Sequence, residues 1–203
     1  MSTPKLWVVA GPNGAGKTTL TRRHLTGHLP VVNPDDIAAE IDLAKRDTVH
    51  VQMRAGRLAL LARNQLLDAG RSFAIETTLS GHSEIDLMRY ARERGFKVIL
   101  VFVGVDDVGL LMARVKSRIA EGGHAVPPEA IERRYQRSMD NLECVLQIAD
   151  RAWVFDNNRK RGRRTLLIRE GDRLKYVSKL LPAWALQAIP PELRRRERHI
   201  KYK

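Results

Sequence analysis

Eight consecutive residues, Gly11-Pro12-Asn13-Gly14-Ala15-Gly16-Lys17-Thr18, meet every fixed position of G-x-x-x-x-G-K-[ST]. The chemistry of that spacing is phosphate binding. Glycines let backbone amides curl around a phosphate with no Cβ in the way, and a helix opening behind them adds its positive end. Lys17 is placed to reach the β- and γ-phosphates, and the Thr18 hydroxyl to ligate Mg²⁺. Thr19 belongs to the same nucleotide-binding stretch. The loop implies ATP or GTP with Mg²⁺, but it does not specify a reaction.

Three further groups could supply one. Asp35 and Asp36 follow a short apolar run. A carboxylate there can take the proton of an attacking hydroxyl, or cap a helix; two adjacent acids allow one of each. Glu76 ends the run Ser72–Ile75 and precedes Thr77 and Thr78. It is suited to supporting Mg²⁺, activating water or binding a substrate hydroxyl. Arg114 and Arg118 share a helical face, and Arg133 and Arg134 follow Pro127-Pro128. Arginines flanking a short turn can form a lid that neutralises a transferring phosphate, or a solvated basic face. His24, His28, His50, His82, His124 and His199 show no metal-ligand spacing. Cys144 fits a small core residue, and Trp7, Trp153 and Trp184 fit core or docking positions.

These groups need a scaffold. Lys5–Ala10, 29–33, Phe73–Thr77, Lys97–Val105 and Arg151–Phe155 read as strands. Helical periodicity covers 18–25, 49–69, 83–94, about 107–121 and 128–148. Alternation of this kind predicts an α/β domain: a parallel sheet of about five strands with helices on both faces, a P-loop NTPase. Sites in such sheets lie at the carboxyl ends of the strands, a rule that selects Gly11 to Thr18, Asn33 to Asp36, Glu76 to Ser80, and Asp106 and Asp107. Leu166–Ile168 and Leu174–Val177 flank Glu-Gly-Asp and predict a small hairpin.

The 203 residues carry 36 Lys+Arg and 23 Asp+Glu, a formal charge of +13. The excess is uneven: residues 159–203 hold 15 basic and 4 acidic residues. The sequence thus divides into a near-neutral domain, 1–158, and a basic C-terminal extension, 159–203, made of the hairpin and a tail. Hydrophobic residues are 43% and charged residues 29%, which excludes a disordered chain. A single cysteine excludes a disulfide framework and fits a reducing compartment. No apolar run approaches the roughly 18 residues of a membrane span, and no secretory signal is visible. The expected location is the cytoplasm.

Six segments together resemble the zeta-toxin family of P-loop kinases, in its short branch also described as predicted ABC-type ATPases. They are AGPNGAGKTTL (10–20), VVNPDDIA (31–38), FAIETTLSGH (73–82), KVILVFVGV (97–105), ARVKSRIAEGGHAVPPEAIERRY (113–135) and ADRAWVFDN (149–157). The resemblance implies a bacterial kinase that phosphorylates a hydroxyl of a UDP-N-acetylamino sugar and is restrained by an antitoxin protein. By position it implies Lys17 and Thr18 as the phosphate-binding pair, Asp35 as catalytic base, and Glu76 and Thr78 as substrate contacts. Arg118 would stabilise the transferring phosphate. The sequence departs from the family at three places. Leu60 stands at a substrate-contacting glutamate, Ser80 near an arginine, and His124 near a second catalytic arginine that Arg133 or Arg134 would replace.

Two other readings compete. GPNGAGKTTL also suits an ATPase coupled to a protein partner, and Leu79-Ser80-Gly81-His82 echoes the ABC signature. That signature precedes the acidic strand, whereas here it follows it, and no helical subdomain fits the interval. The basic runs 159–164 and 194–196 raise a polynucleotide kinase. They lack interleaved aromatics, so nucleic acid is expected at most as a weak ligand of the tail.

Overall fold

The computed structural model describes residues 3–123, 125–158 and 162–194. In chain order the elements are β1 (Lys5–Ala10), α1 (Lys17–His24), β2 (Val31–Val32), α2 (Pro34–Ile41), α3 (Val49–Asp68), β3 (Phe73–Thr77), α4 (Ser83–Glu93) and β4 (Lys97–Gly104). They continue with α5 (Val108–Ala120), α6 (Pro128–Asp140), α7 (Leu142–Ile148), β5 (Arg151–Asp156), β6 (Arg164–Glu170), β7 (Arg173–Val177), α8 (Ala183–Ala188) and α9 (Pro191–Arg194).

One sheet runs in the order β2-β3-β1-β4-β5-β6-β7. The first five strands are parallel, as expected, with the loop-bearing β1 between β3 and β4. The strand count is seven rather than five. The hairpin hydrogen-bonds antiparallel to β5 and extends the same sheet. The reason is the edge: without β6, the side of β5 away from β4 would be unpaired, and Leu166 and Leu167 of β6 are fully buried. Five strands buried on both faces explain the near-continuous apolar runs. Leu6 and Val8, Leu100 and Phe102, and Ala152 and Val154 face a core shared with α3, α4, α7 and α8. Val9, Val101 and Val103 alternate onto the other face, under α1, α5 and α6.

The predicted helix over 128–148 is divided at Asn141, the C-cap of α6 and the N-cap position of α7. Helix α8 docks through Trp184, which is 2% exposed. A Cβ added at Gly104 would lie 2.4 Å from that indole, so glycine admits the close approach. No described helix is long and apolar enough to cross a membrane. Residues 159–161 and 195–203, with much of the predicted basic tail, and His124 lie outside the described residues.

Candidate active site

The loop from β1 to α1 is shaped by its glycines. Gly11 has φ +136°, and a Cβ on it would fall 2.1 Å from the Val103 carbonyl oxygen of the neighbouring strand. Only glycine lets the chain turn there. Gly16 adopts φ +95° as the N-cap of α1. The Lys17 ammonium lies inside the curl and donates to the carbonyls of Gly11 at 2.8 Å and Pro12 at 2.9 Å. Burial lowers its pKa from 10.5 to about 8, against the opposing pull of Glu76 and Asp35. The far side of the loop is held by Asn157, just past β5, whose amide donates to the Ala15 carbonyl at 2.8 Å. Arg114 in turn donates to the Asn157 carbonyl at 2.9 Å.

Thr18 donates its hydroxyl to Glu76 Oε2 at 2.9 Å, joining the first helix to the tip of β3. Burial raises the Glu76 pKa, opposed by the Thr18 hydroxyl and by Lys17. A hydroxyl and one carboxylate in contact are oxygen ligands suited to Mg²⁺, which takes few protein ligands and shares phosphate oxygens. Among the described residues there is no group of three or more His, Cys, Asp or Glu that could hold a metal ion; the Thr18 hydroxyl and the Glu76 carboxylate are the oxygen donors at this point of the site.

At the tip of β2, Asn33 is the N-cap of α2. Its side-chain oxygen accepts from the Asp35 amide at 3.1 Å, and its amide donates to Asp36 Oδ2 at 3.0 Å. Neither acid is the cap, because Asn33 already performs that task, and Asp36 is tied back to it. The Asp35 carboxylate is exposed and accepts no hydrogen bond from a described residue.

Lys17, Thr18, Asp35, Glu76, Thr78 and Arg118 line one cavity of about 300 Å³ together with Asn13, Gly14 and Arg134. Of the two lid candidates, Arg134 faces this cavity and reaches Asn13 Oδ1 at 3.5 Å, whereas Arg133 is exposed. A neighbouring cleft of about 420 Å³ follows the loop past Gly16, Thr19, Arg114 and Asn157. Gly11, Pro12 and Ala15 serve through their backbones, as acceptors for Lys17 and Asn157. The arrangement can cradle a chain of phosphates and present a carboxylate and several cations beside its end.

Gln52, Ser80 and Glu84 also line the cavity. Sequence reasoning missed Gln52 of α3 and Glu84 of α4 because each stands in the first turn of its helix among other polar residues. Asn157 was missed as well, although the Asp-Asn pair ending the fifth strand was a signal. Thr78 and Ser80 share a hydrogen bond of 2.9 Å across Leu79. Leu79 is the one described non-glycine residue with positive φ, at +56°. Strained backbone of this kind concentrates at functional sites.

The family model described as Zeta toxin matches residues 1–162. An uncharacterized protein of Haemophilus influenzae is 33% identical over 138 residues, covering 64% of this chain and 97% of that one. Among solved structures, a chain of the AvrRxo1-ORF1:-ORF2 complex with ATP is 19% identical at a TM-score of 0.70, over 85% of this chain. This chain spans 60% of its length. A chain from the PezAT chromosomal toxin–antitoxin system of Streptococcus pneumoniae is 19% identical at a TM-score of 0.59, over 81% of this chain and 71% of that one. At such identities these two likenesses are of fold.

Proposed function

We propose that this chain, which belongs to the zeta-toxin family, is a kinase that transfers the terminal phosphate of ATP or GTP to a hydroxyl of a small molecule. The observation that carries the reading is the convergence of Lys17, Thr18, Asp35, Glu76, Arg118 and Arg134 on one cavity from five separate elements. Asp35 accepts the proton of the acceptor hydroxyl. The acceptor oxygen bonds to the γ-phosphorus while the bond to the β–γ bridging oxygen breaks, releasing the nucleoside diphosphate. Lys17, Arg118 and Arg134 neutralise the charge spread over the phosphoryl oxygens. Thr18, with Glu76 beside it, would hold Mg²⁺, which supplies charge neutralisation on the phosphates when bound. The family resemblance supports a UDP-N-acetylamino sugar as one acceptor to test, a cytoplasmic site of action and restraint by an antitoxin.

The test is incubation with labelled ATP and a panel of sugars, UDP-sugars, nucleosides and oligonucleotides, with mass spectrometry to find what gains a phosphate. Lys17→Ala and Asp35→Ala should each abolish transfer, a loss of about 10²–10⁴-fold for a general base. Asp35→Ala should still bind nucleotide. Full transfer by Asp35→Ala removes that residue from the mechanism. ATP hydrolysis stimulated by a protein, with no phosphorylated product, would instead favour a partner-coupled ATPase.

A further inference from the structure

Arg118 lines the cleft along the phosphate loop, the cavity beside it and a third cleft of about 820 Å³ that Asp35 also lines. A long side chain that is not held loses rotamer freedom each time it grips a phosphate, so what fixes this arginine matters. It stands three residues from the end of α5, which closes in a Schellman turn. The Gly122 amide donates to the Ile119 carbonyl at 2.9 Å and the Gly123 amide to the Arg118 carbonyl at 2.7 Å. A Cβ added at Gly123 would fall 2.5 Å from Arg118 Cγ, so the stem of the arginine packs directly on the turn. Where the turn sits, Arg118 follows.

That turn is gripped by the loop between α2 and α3. The Arg46 guanidinium, on a side chain 19% exposed, donates to the Gly122 carbonyl, 76 residues later. Asp47 accepts from the Ala125 amide at 3.4 Å, 78 residues later, and pairs with Arg46 at 3.9 Å. The grip suits its target, because a carbonyl at the negative end of a helix favours a cation. The gripping loop is closed on itself. Asp42 Oδ1 accepts from the amides of Ala44 and Lys45, both at 3.1 Å. Thr48 donates its hydroxyl to the Lys45 carbonyl, and Gln52 its amide to the Arg46 carbonyl, both at 2.7 Å. The same loop follows α2, whose first turn carries Asp35. From these contacts, and resting on the kinase reading above, we infer that Arg46 and Asp47 are positioning residues: they clamp the cap of α5 to the α2–α3 loop and so hold Arg118 at the site of phosphate transfer.

The experiment uses the full chain with Mg²⁺, ATP and the acceptor that the panel identifies. Arg46→Ala and Gly123→Ala should each lower kcat by about tenfold or more, since a misplacement of about 1 Å costs up to about 10²-fold, with the KM for ATP changed less than about twofold. Arg46→Lys keeps a donor and should recover much of the loss. In an Arg118→Ala background, Arg46→Ala should cost less than about twofold, because its effect runs through that side chain. Losses that simply multiply in the double variant overturn the positioning role. A raised acceptor KM with kcat unchanged overturns it too, and would make Arg46 a substrate contact. Hydrogen exchange reads the clamp without turnover. The amides of Gly122, Gly123 and Ala125 should lose about tenfold in protection in Arg46→Ala, the loss of a hydrogen bond from a charged group. Unchanged protection overturns the clamp whether or not the chain is a kinase. Transfer to no acceptor by the wild type, with protection lost in Arg46→Ala, overturns the kinase reading and the positioning role together and leaves only the clamp.

Discussion

The ammonium of Lys17 donates to two carbonyls of its own loop and titrates near pH 8 rather than 10.5, chiefly because it is buried. A lowered lysine pKa means that the unfolded chain holds more protons than the folded one between about 8 and 10.5. This group therefore adds stability as pH rises through that window and withdraws it as pH falls. Nucleotide phosphates reverse the balance, since an anion favours the charged amine. Nucleotide binding at pH 8.5 should take up a proton, up to about one per site through this residue. The uptake should fade below pH 7 and disappear in Lys17→Met. Calorimetry in buffers of different ionisation enthalpy measures it; uptake unchanged in Lys17→Met would assign the proton elsewhere. At this scale most of the site was legible, because the loop spacing and the acids at strand ends are local facts. The role of Asn33 was not. The sequence offers Asp35 or Asp36 as the cap, and only the hydrogen bonds of Asn33 to the Asp35 amide and the Asp36 carboxylate give that task to Asn33.

Between elements, one side chain links the α6–α7 junction to the turn after β3 that carries Thr78 and Ser80. Asn141, between α6 and α7, donates to the carbonyl of Leu79 at 2.9 Å, 62 residues earlier. Leu79 is fully buried and held in the left-handed region, a conformation costing a non-glycine residue about 1–2 kcal/mol. Its side chain anchors the turn in the core while its backbone separates Thr78 from Ser80. Asn141→Ala should destabilise the protein by about 1–3 kcal/mol, since a carbonyl loses its donor, and should raise the acceptor KM more than it lowers kcat. Asn141→Asp keeps the shape and loses the donor, so urea melts should show it no more stable than Asn141→Ala. Wild-type stability in Asn141→Asp would show that this bond does not hold the turn. The parallel strands and most helices were legible from apolar runs and 3.6-residue periodicity. The division at Asn141 was not, because its cause is a contact with a distant loop and the local pattern continues through it.

Across the whole molecule, the excess of positive charge first reads as a detachable basic extension, and part of it is built into the fold. Arg164 pairs at 3.3 Å with Asp156, which is 3% exposed at the end of β5, and donates to the Leu180 carbonyl at 3.0 Å. Arg194 donates to the Leu186 carbonyl at 3.2 Å. The hairpin was legible as a hairpin, but its partner was not. Nothing in Leu166–Ile168 names β5 as the edge that it completes. The consequence is a prediction about truncation. Leu166, Leu167, Trp184 and Ile189 are all at most 2% exposed, and burying four such side chains stabilises by about 6–12 kcal/mol. That is comparable to the whole stability of a domain, about 5–15 kcal/mol. Removing them also bares the outer edge of β5 and takes the arginine partner from the Asp156 carboxylate. A chain ending at Asn158 retains the phosphate loop and every catalytic candidate, yet it should show no cooperative thermal transition and should aggregate. A chain ending at Arg194 keeps these contacts and should melt close to the full chain. Differential scanning calorimetry with nucleotide titration decides the matter. A cooperative, nucleotide-stabilised transition in the 1–158 chain would mean that the hairpin and α8 are an appendage to a kinase core complete without them.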